Sequence, residues 1–200
     1  MTGSDMEALY ATAVANVRQP HLDRLREADV TASTIARLGS AYPPFGVCAG
    51  EVERFCRFLP GEGQPYVIQP VVDGCELIDL VAWRVANPTR WGLVNGTGWL
   101  LNADACLGSR WDAGSLTLHA TPLDWLRADA SGGVVLDWDA PDMMTLRSFD
   151  RIDCGNDMLA GALRRALYHF PIFSVPLLDS PAGWIALAQQ MGLPPKLTVH

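Results

Sequence analysis

The chain has 200 residues, 49% of them hydrophobic and 18% charged, which excludes an intrinsically disordered segment and allows a substantial core. This length suits one domain or two small ones. The formal net charge of −7 opposes binding to a nucleic-acid backbone unless basic residues gather locally. The residues that would form such a patch are Arg54, Arg57, Arg84 and Arg90. The alternative is that these arginines are solvated individually around a sheet.

The five cysteines are widely spaced and form no CxxC pair, which argues against a zinc ribbon or a redox site. They are best explained as buried thiols in a reducing cytosol. The first ten residues, MTGSDMEALY, lack a basic segment leading into an apolar core, so we expect no secretory signal. The most apolar run, Phe170 to Leu178, is short for a bilayer span and contains prolines. We therefore expect a cytoplasmic protein without a membrane partner.

The front of the chain is predicted to contain helices followed by antiparallel strands. Apolar residues repeat at helical spacing up to Leu38, which indicates a helical lead-in. Two β-rich runs, Tyr66 to Val72 and Glu76 to Val85, are joined by Asp73-Gly74, a strong hairpin signal. The middle of the chain is therefore predicted to be an antiparallel sheet.

A second hairpin is predicted directly after the first. Trp91 to Val94 and Trp99 to Leu101 flank Asn95-Gly96-Thr97-Gly98, a stretch rich in turn residues. Tryptophans on such a sheet can stack single-stranded bases or pack in the core. Few basic residues lie beside Trp83, Trp91 and Trp99, which favours packing in the core.

The pattern changes to alternating β and α after Trp111. A short apolar strand, Leu116 to His119, precedes a turn, and Pro122 then opens a helix that extends to Ala128. The next strand, Val134 to Leu136, follows so closely that only a short crossover helix fits. This arrangement predicts a parallel βαβ unit, whose ligands would lie beyond the carboxyl ends of its strands.

Further helices and strands are predicted up to the end of the chain. They are a helix around Asp142 to Leu146, a weak strand at Arg151 to Asp153, a helix from its cap at Asn156 through Tyr168, a strand at Ile172 to Val175 and a helix from Pro181 to Gly192. The predicted fold class is α/β with an α+β front half. The predicted domains are residues 1–110, helical and antiparallel β, and residues 111–200, a small parallel sheet flanked by helices.

Three stretches share their order and pattern with a known family. They are LREADVTASTIARLGSAY at 25–42, YVIQPVVDGCELIDLVAWR at 66–84 and HATPLDWL at 119–126. Together they resemble the catalytic core of bacterial and phage DNA primases, in which a Toprim domain follows an N-terminal subdomain. The resemblance implies a Toprim-like parallel sheet in the second half of the chain and a role connected with DNA replication.

The resemblance also implies catalytic positions that this chain fills only in part. Toprim enzymes place a Glu acid/base at the end of the first strand, where this chain has Ala120. They hold magnesium with Asp-x-Asp after a later strand. Asp137-x-Asp139 has that spacing but follows the second strand, while Asp153 and Asp157 are spaced differently. Since alanine neither transfers a proton nor binds a metal, the resemblance implies a degenerate site.

An active enzyme would need several carboxylates that converge on a divalent ion, and oxygen ligands suit Mg²⁺. The candidate metal ligands are Asp137, Asp139, Asp153 and Asp157, and the candidate catalytic residues are His119 and Asp124. The alternative is structural. The aspartates would then end strands in solvent, and Asp124 would occupy the first turn of a helix, where the dipole favours an anion.

Three functions remain open from the sequence. The first is a non-catalytic Toprim/primase-like accessory module without a cofactor, linked to phage or mobile-element DNA replication, whose partner is single-stranded DNA or a replication protein. The second is a divergent nucleotidyl-transfer enzyme or nuclease that uses Mg²⁺. The third is a protein-interaction domain without a nucleic-acid role. The oligomeric state is open in all three.

Overall fold

The computed structural model describes residues 3–53, 56–74, 76–108, 114–168 and 196–199. Within these residues the chain has the predicted mixed α/β composition. An antiparallel sheet of five strands lies in the front half, and a small parallel sheet lies in the back half.

Three helices form the lead-in. They are α1 (Gly3–Ala15), α2 (Gln19–Glu27) and α3 (Ala32–Ala36). Thr31 caps α3, because its Oγ1 accepts the backbone N–H of Thr34. A 3₁₀ turn, Arg37–Gly39, follows and ends the helical segment.

The antiparallel sheet has the strand order β2-β1-β3-β4-β5. Its strands are β1 (Gly46–Val52), β2 (Phe58–Pro60), β3 (Gln64–Asp73), β4 (Glu76–Arg84) and β5 (Asn87–Leu93). The predicted first hairpin is confirmed, since Asp73 pairs with Glu76 and Gly74 has a φ of 59°. Helix α1 covers one face so closely that a Cβ on Gly46 would lie 2.6 Å from the backbone of Ala13.

The predicted second hairpin is wrong. The chain leaves the sheet after β5, and β6 (Leu100–Leu101) pairs instead with β8 (Val134–Val135). The cause is the buried carboxylate of Asp79 on β4. It accepts the backbone N–H groups of Asn95, Thr97 and Gly98 and so holds this loop beside β4.

The strand, helix and strand of the predicted βαβ unit are present, but the second strand, β8, pairs with β6 and meets the first strand only at one parallel bridge. Strand β7 (Ser115–Leu118) leads into α5 (Pro122–Arg127), and the chain returns to β8, where Gly133 forms a parallel bridge with Leu118. On the other side of β7 lies β9 (Arg151–Cys154), and beyond it β10 (Lys196–Val199), both parallel to their neighbours. The carboxyl ends of β7 and β9 therefore share one edge of the parallel sheet.

Three further helical elements lie in the described part of the chain. They are α4 (Ala103–Gly108), a 3₁₀ helix (Pro141–Ser148) and α6 (Asp157–Tyr168). Asn156 caps α6 as predicted, because its Oδ1 accepts the N–H of Leu159 at 2.8 Å. The strand predicted at Ile172 to Val175 and the helix predicted at Pro181 to Gly192 lie outside the described residues.

Residues of both predicted domains pack into one core. Leu25 and Trp83 from the front half contact a cluster that includes Leu126 and Val134 from the back half. The β6–β8 ladder crosses the same boundary. The division at residue 110 stays a prediction.

The three tryptophans that were predicted on the antiparallel sheet pack in the core, although only Trp83 and Trp91 lie on that sheet. Trp83 is fully buried, and its Nε1 donates to Oε1 of Gln69 at 2.7 Å. Trp99 is also buried, and Trp91 packs against the same core cluster as Trp83. The expectation of core packing is therefore confirmed.

The described cysteines, Cys48, Cys56, Cys106 and Cys154, are free thiols. Cys106 and Cys154 are buried as predicted, whereas the prediction is wrong for Cys56, which is exposed, and Cys48 is half-buried. Within the described ranges, no helix combines the length and the apolar character that crossing a bilayer requires.

Candidate functional site

His119 lies directly after β7, at the edge where ligands of parallel sheets bind. Its backbone N–H donates to Gly133 at 2.8 Å, and its Nε2 lies 3.0 Å from the carbonyl oxygen of Ser131. A carbonyl only accepts, so Nε2 carries the ring proton. Burial lowers the pKa of His119, although the bond to Ser131 and the charge of Asp124 act in the opposite direction. His119 is thus a neutral imidazole whose N–H is already engaged.

Asp124 belongs to the cap of α5. Thr121 accepts the backbone N–H of Asp124 at 3.1 Å and donates its hydroxyl to Oδ2 of the same residue at 2.7 Å. Oδ1 accepts from Arg127 at 3.0 Å. Both carboxylate oxygens are therefore used in fixing the helix, as the structural alternative expects.

Ala120 lies between His119 and this cap, half-buried and packed against the core of the parallel sheet. Its methyl group supplies neither a proton nor a ligand at the strand end. The side chains on either side of Ala120, those of His119 and Thr121, are thus both engaged in hydrogen bonds within the fold.

The four candidate metal ligands are divided among separate local contacts. Oδ1 of Asp137 accepts the backbone N–H of Asp139 at 2.9 Å, which is a turn contact. Asp153 forms an ion pair with Arg151 at 2.7 Å and lies within β9 rather than after it. Asp157 is exposed in the first turn of α6.

No group of three or more His, Cys, Asp or Glu side chains suited to a metal ion occurs in the described part of the chain. All six acidic and imidazole candidates belong to that part. The structure therefore does not bring the predicted ligands together around a common point.

Two of the four candidate arginines do converge. Arg84, at the end of β4, and Arg90, on β5, line one cleft of about 180 Å³ together with Tyr66, Asn87 and Glu51. Arg90 also donates to the carbonyl of Val52 at 3.3 Å. We call this the β5 cleft.

The other two candidate arginines do not join them. Arg57 is exposed on the segment before β2, and its backbone carbonyl accepts the N–H of Glu53. It is not among the residues that line the β5 cleft. Arg54 lies outside the described residues.

A second cleft, of about 420 Å³, opens on the other side of Arg84 and Tyr66. Its further polar wall is His21 and Arg24 from α2, together with Gln64 at the start of β3. We call this the α2 cleft. Tyr66 and Arg84 line both clefts and therefore form the partition between them.

The partition is a cation–π pair. The guanidinium carbon of Arg84 lies 5.9 Å from the ring centroid of Tyr66, and Phe58 packs against the same ring at 5.1 Å. A guanidinium over an aromatic face is attracted by the ring quadrupole. The pair presents planar aromatic and cationic surface at the end of the sheet.

Electrostatic conditions in the α2 cleft favour anions. Burial and the nearby charges of Arg24 and Arg18 lower the pKa of His21. Among the described residues, neither Arg24 nor Arg84 forms an ion pair with a carboxylate. No described carboxylate therefore pairs with either of these two positive charges.

Sequence reasoning identified Arg84 and Arg90 but missed His21, Arg24 and Tyr66. A signal was present, because Arg18, His21 and Arg24 recur at three-residue spacing along one helix. The proximity of His21 and Arg24 to Arg84 arises only from tertiary packing.

No protein-family model, no curated protein and no solved structure matches this chain. Function is therefore inferred from the geometry of its own residues.

Proposed function

We propose that this protein is a non-catalytic module that binds single-stranded nucleic acid at the partition formed by Tyr66 and Arg84 and in the adjoining β5 cleft. The single observation that carries the proposal is the convergence of Arg84 and Arg90 beside Tyr66 in a chain of net charge −7. Neither guanidinium forms an ion pair with a carboxylate among the described residues.

The chemistry of this surface suits an unpaired strand. Guanidinium groups bind phosphate oxygens, and bases stack on aromatic rings and guanidinium planes. Unpaired bases expose the faces that such stacking needs, whereas paired bases cover them. Glu51 at the rim adds one negative charge, which limits how close a phosphate comes on that side.

The edge of the parallel sheet supports a binding role rather than catalysis. Phosphoryl transfer needs carboxylates that converge on a metal ion. Asp124 is engaged with Thr121 and Arg127, and Asp153 with Arg151. These contacts use the carboxylates to stabilise the fold.

A Toprim-like ancestry and a role in phage or mobile-element DNA replication form part of the same proposal. They are supported by the resemblance of the three stretches at 25–42, 66–84 and 119–126, and by the parallel pairing of β7 with β9. A cytoplasmic location belongs to the proposal too, because the described cysteines are free thiols.

The proposal is tested by fluorescence anisotropy with an oligothymidylate of about 12 nucleotides that carries a 5′-hydroxyl and a 3′ label. We expect affinity to fall steeply between about 50 and 200 mM salt. The double variant Arg84→Gln/Arg90→Gln should weaken binding about tenfold or more. It should also reduce the salt slope, which is the slope of log affinity against log salt concentration, by about 2, one for each lost phosphate contact.

The double variant Arg164→Gln/Arg165→Gln is the matched control, because both arginines are exposed on α6 and their loss removes the same two positive charges. Its affinity should equal that of the wild type. Absence of binding at low salt, or equal affinities of the Arg84→Gln/Arg90→Gln variant and the wild type, would overturn the proposal.

A further inference from the structure

We propose that the α2 cleft binds a terminal nucleoside 5′-phosphate, so that the strand bound at the Tyr66–Arg84 partition begins there. This inference rests on the proposed function and names the part of the strand that the site selects. It draws on the α2 residues His21 and Arg24, which contribute nothing to the β5 cleft.

The charge of the α2 cleft matches a phosphate monoester. The described residues that line it include Arg24, Arg84 and His21 and no aspartate or glutamate. A monoester carries a charge of about −1.5 to −2 near pH 7, whereas each internal diester carries only one negative charge. Two guanidinium groups in one cleft, neither in an ion pair with a described carboxylate, therefore favour a strand terminus over the middle of a strand.

His21 adds a neutral donor to these two cations. Its Nδ1 accepts the backbone N–H of Arg18 at 3.1 Å, which leaves the ring proton on Nε2. Burial and the charges of Arg24 and Arg18 lower the pKa of His21, so the neutral ring prevails at pH 7. Such an N–H donates to a phosphate oxygen without adding to the repulsion between the arginines.

The partition places a planar surface next to this phosphate position. Tyr66 and Arg84 border the α2 cleft on one side and the β5 cleft on the other. A strand whose 5′-phosphate lies by Arg24 can therefore set its first base against the partition. Its following phosphates then extend towards Arg90.

The test compares 5′-phosphorylated and 5′-hydroxyl oligothymidylates of equal length on the full chain by anisotropy. We expect the wild type to prefer the phosphorylated strand about tenfold, or about 1.4 kcal/mol. Arg24→Gln should remove this preference by weakening the binding of the phosphorylated strand, so that the two strands bind this variant with equal affinity. Arg26→Gln is the control on the same helix, since Arg26 pairs with Asp23 and lines neither cleft; it should keep the preference.

Thymidine 5′-monophosphate, titrated alone by NMR, separates this inference from the proposed function. Equal binding of the two oligonucleotides, with no response to the monophosphate, overturns the inference and leaves the proposed function standing. Binding of the monophosphate that Arg24→Gln abolishes, without binding of either oligonucleotide, supports the cleft as a site for free nucleotide and overturns the strand-binding function. No binding of any of these probes overturns both.

Discussion

The guanidinium of Arg84 lies over the ring of Tyr66, with 5.9 Å between the guanidinium carbon and the ring centroid. A lysine keeps the charge of an arginine but not its plane. Arg84→Lys should therefore weaken oligonucleotide binding several-fold with little change in the salt slope, whereas Arg84→Gln should lower both affinity and slope. Anisotropy titrations over a range of salt concentrations measure both quantities. If Arg84→Lys binds as the wild type does, charge alone accounts for the role of Arg84.

Replacing Asp79 with asparagine should destabilise the fold. The carboxylate is fully buried and accepts four backbone N–H groups, which belong to Leu80, Asn95, Thr97 and Gly98. An amide turns one acceptor into a donor that faces these N–H groups, which should cost about 3 kcal/mol. Urea unfolding measures the free energy of unfolding.

Asp142→Asn is the control for this prediction, because Asp142 is exposed and the substitution removes the same charge. Its free energy of unfolding should lie within about 0.5 kcal/mol of the wild type. Equal stability of the Asp79 and Asp142 variants would show that the carboxylate does not hold the loop.

The stability contributed by Asp129 should depend on pH. Hydroxyl groups of Ser33, Thr31 and Thr34 donate to its Oδ1, and these hydrogen bonds hold the pKa of the Asp129 carboxyl below its usual range. Because the pKa of Asp129 is lower in the folded protein than in the unfolded chain, its ionised carboxylate stabilises the fold at pH values above the unfolded pKa of about 3.9. This stabilisation is lost as the pH falls through the pKa of the folded protein.

Asp129→Asn should accordingly destabilise the protein at pH 7 and progressively less as the pH is lowered towards about 3. Asparagine tolerates the positive φ of 54° at this position, so backbone strain does not confuse the comparison. Urea unfolding of both proteins across this range provides the measurement. If the difference in free energy of unfolding between the two proteins stays constant with pH, ionisation of the Asp129 carboxyl does not contribute to stability.

Mg²⁺ or Mn²⁺ should leave the melting temperature unchanged. The carboxylates of Asp137 and Asp153 are engaged with Asp139 and Arg151, and the described residues offer no cluster suited to a metal ion. A site filled at a hundredfold excess over its Kd would stabilise the protein by about 2.7 kcal/mol, which thermal unfolding detects readily. If either ion raises the melting temperature and Asp137→Asn abolishes the increase, the interpretation as a metal-dependent enzyme would be restored.

Elements held together by residues close in sequence were predictable. The hairpin at Asp73-Gly74 depends on a turn of a few residues, and the start of α5 depends on Thr121 and Pro122. The turn residues at 95–98 were read in the same way but proved misleading. Asp79, 16 to 19 residues earlier, binds that loop, and no local pattern reveals such a contact.

The candidate site was predictable only in part, for a related reason. Arg84 and Arg90 lie on adjacent strands of one sheet, so their proximity follows from strand pairing. His21 and Arg24 reach Arg84 because α2 packs at the end of the sheet. The spacing of His21 and Arg24 places them on one helix face, but contact with a residue about 60 positions away depends on helix packing, which local periodicity does not reveal.

Amide chemical-shift mapping of the full chain with a single-stranded oligothymidylate tests the central claim most directly. We predict the largest changes at residues 64–67 and 84–90, around Tyr66, Arg84 and Arg90, and little change at residues 119–124. Changes centred on residues 119–124 and 137–139, or none at all, would contradict the proposed binding surface.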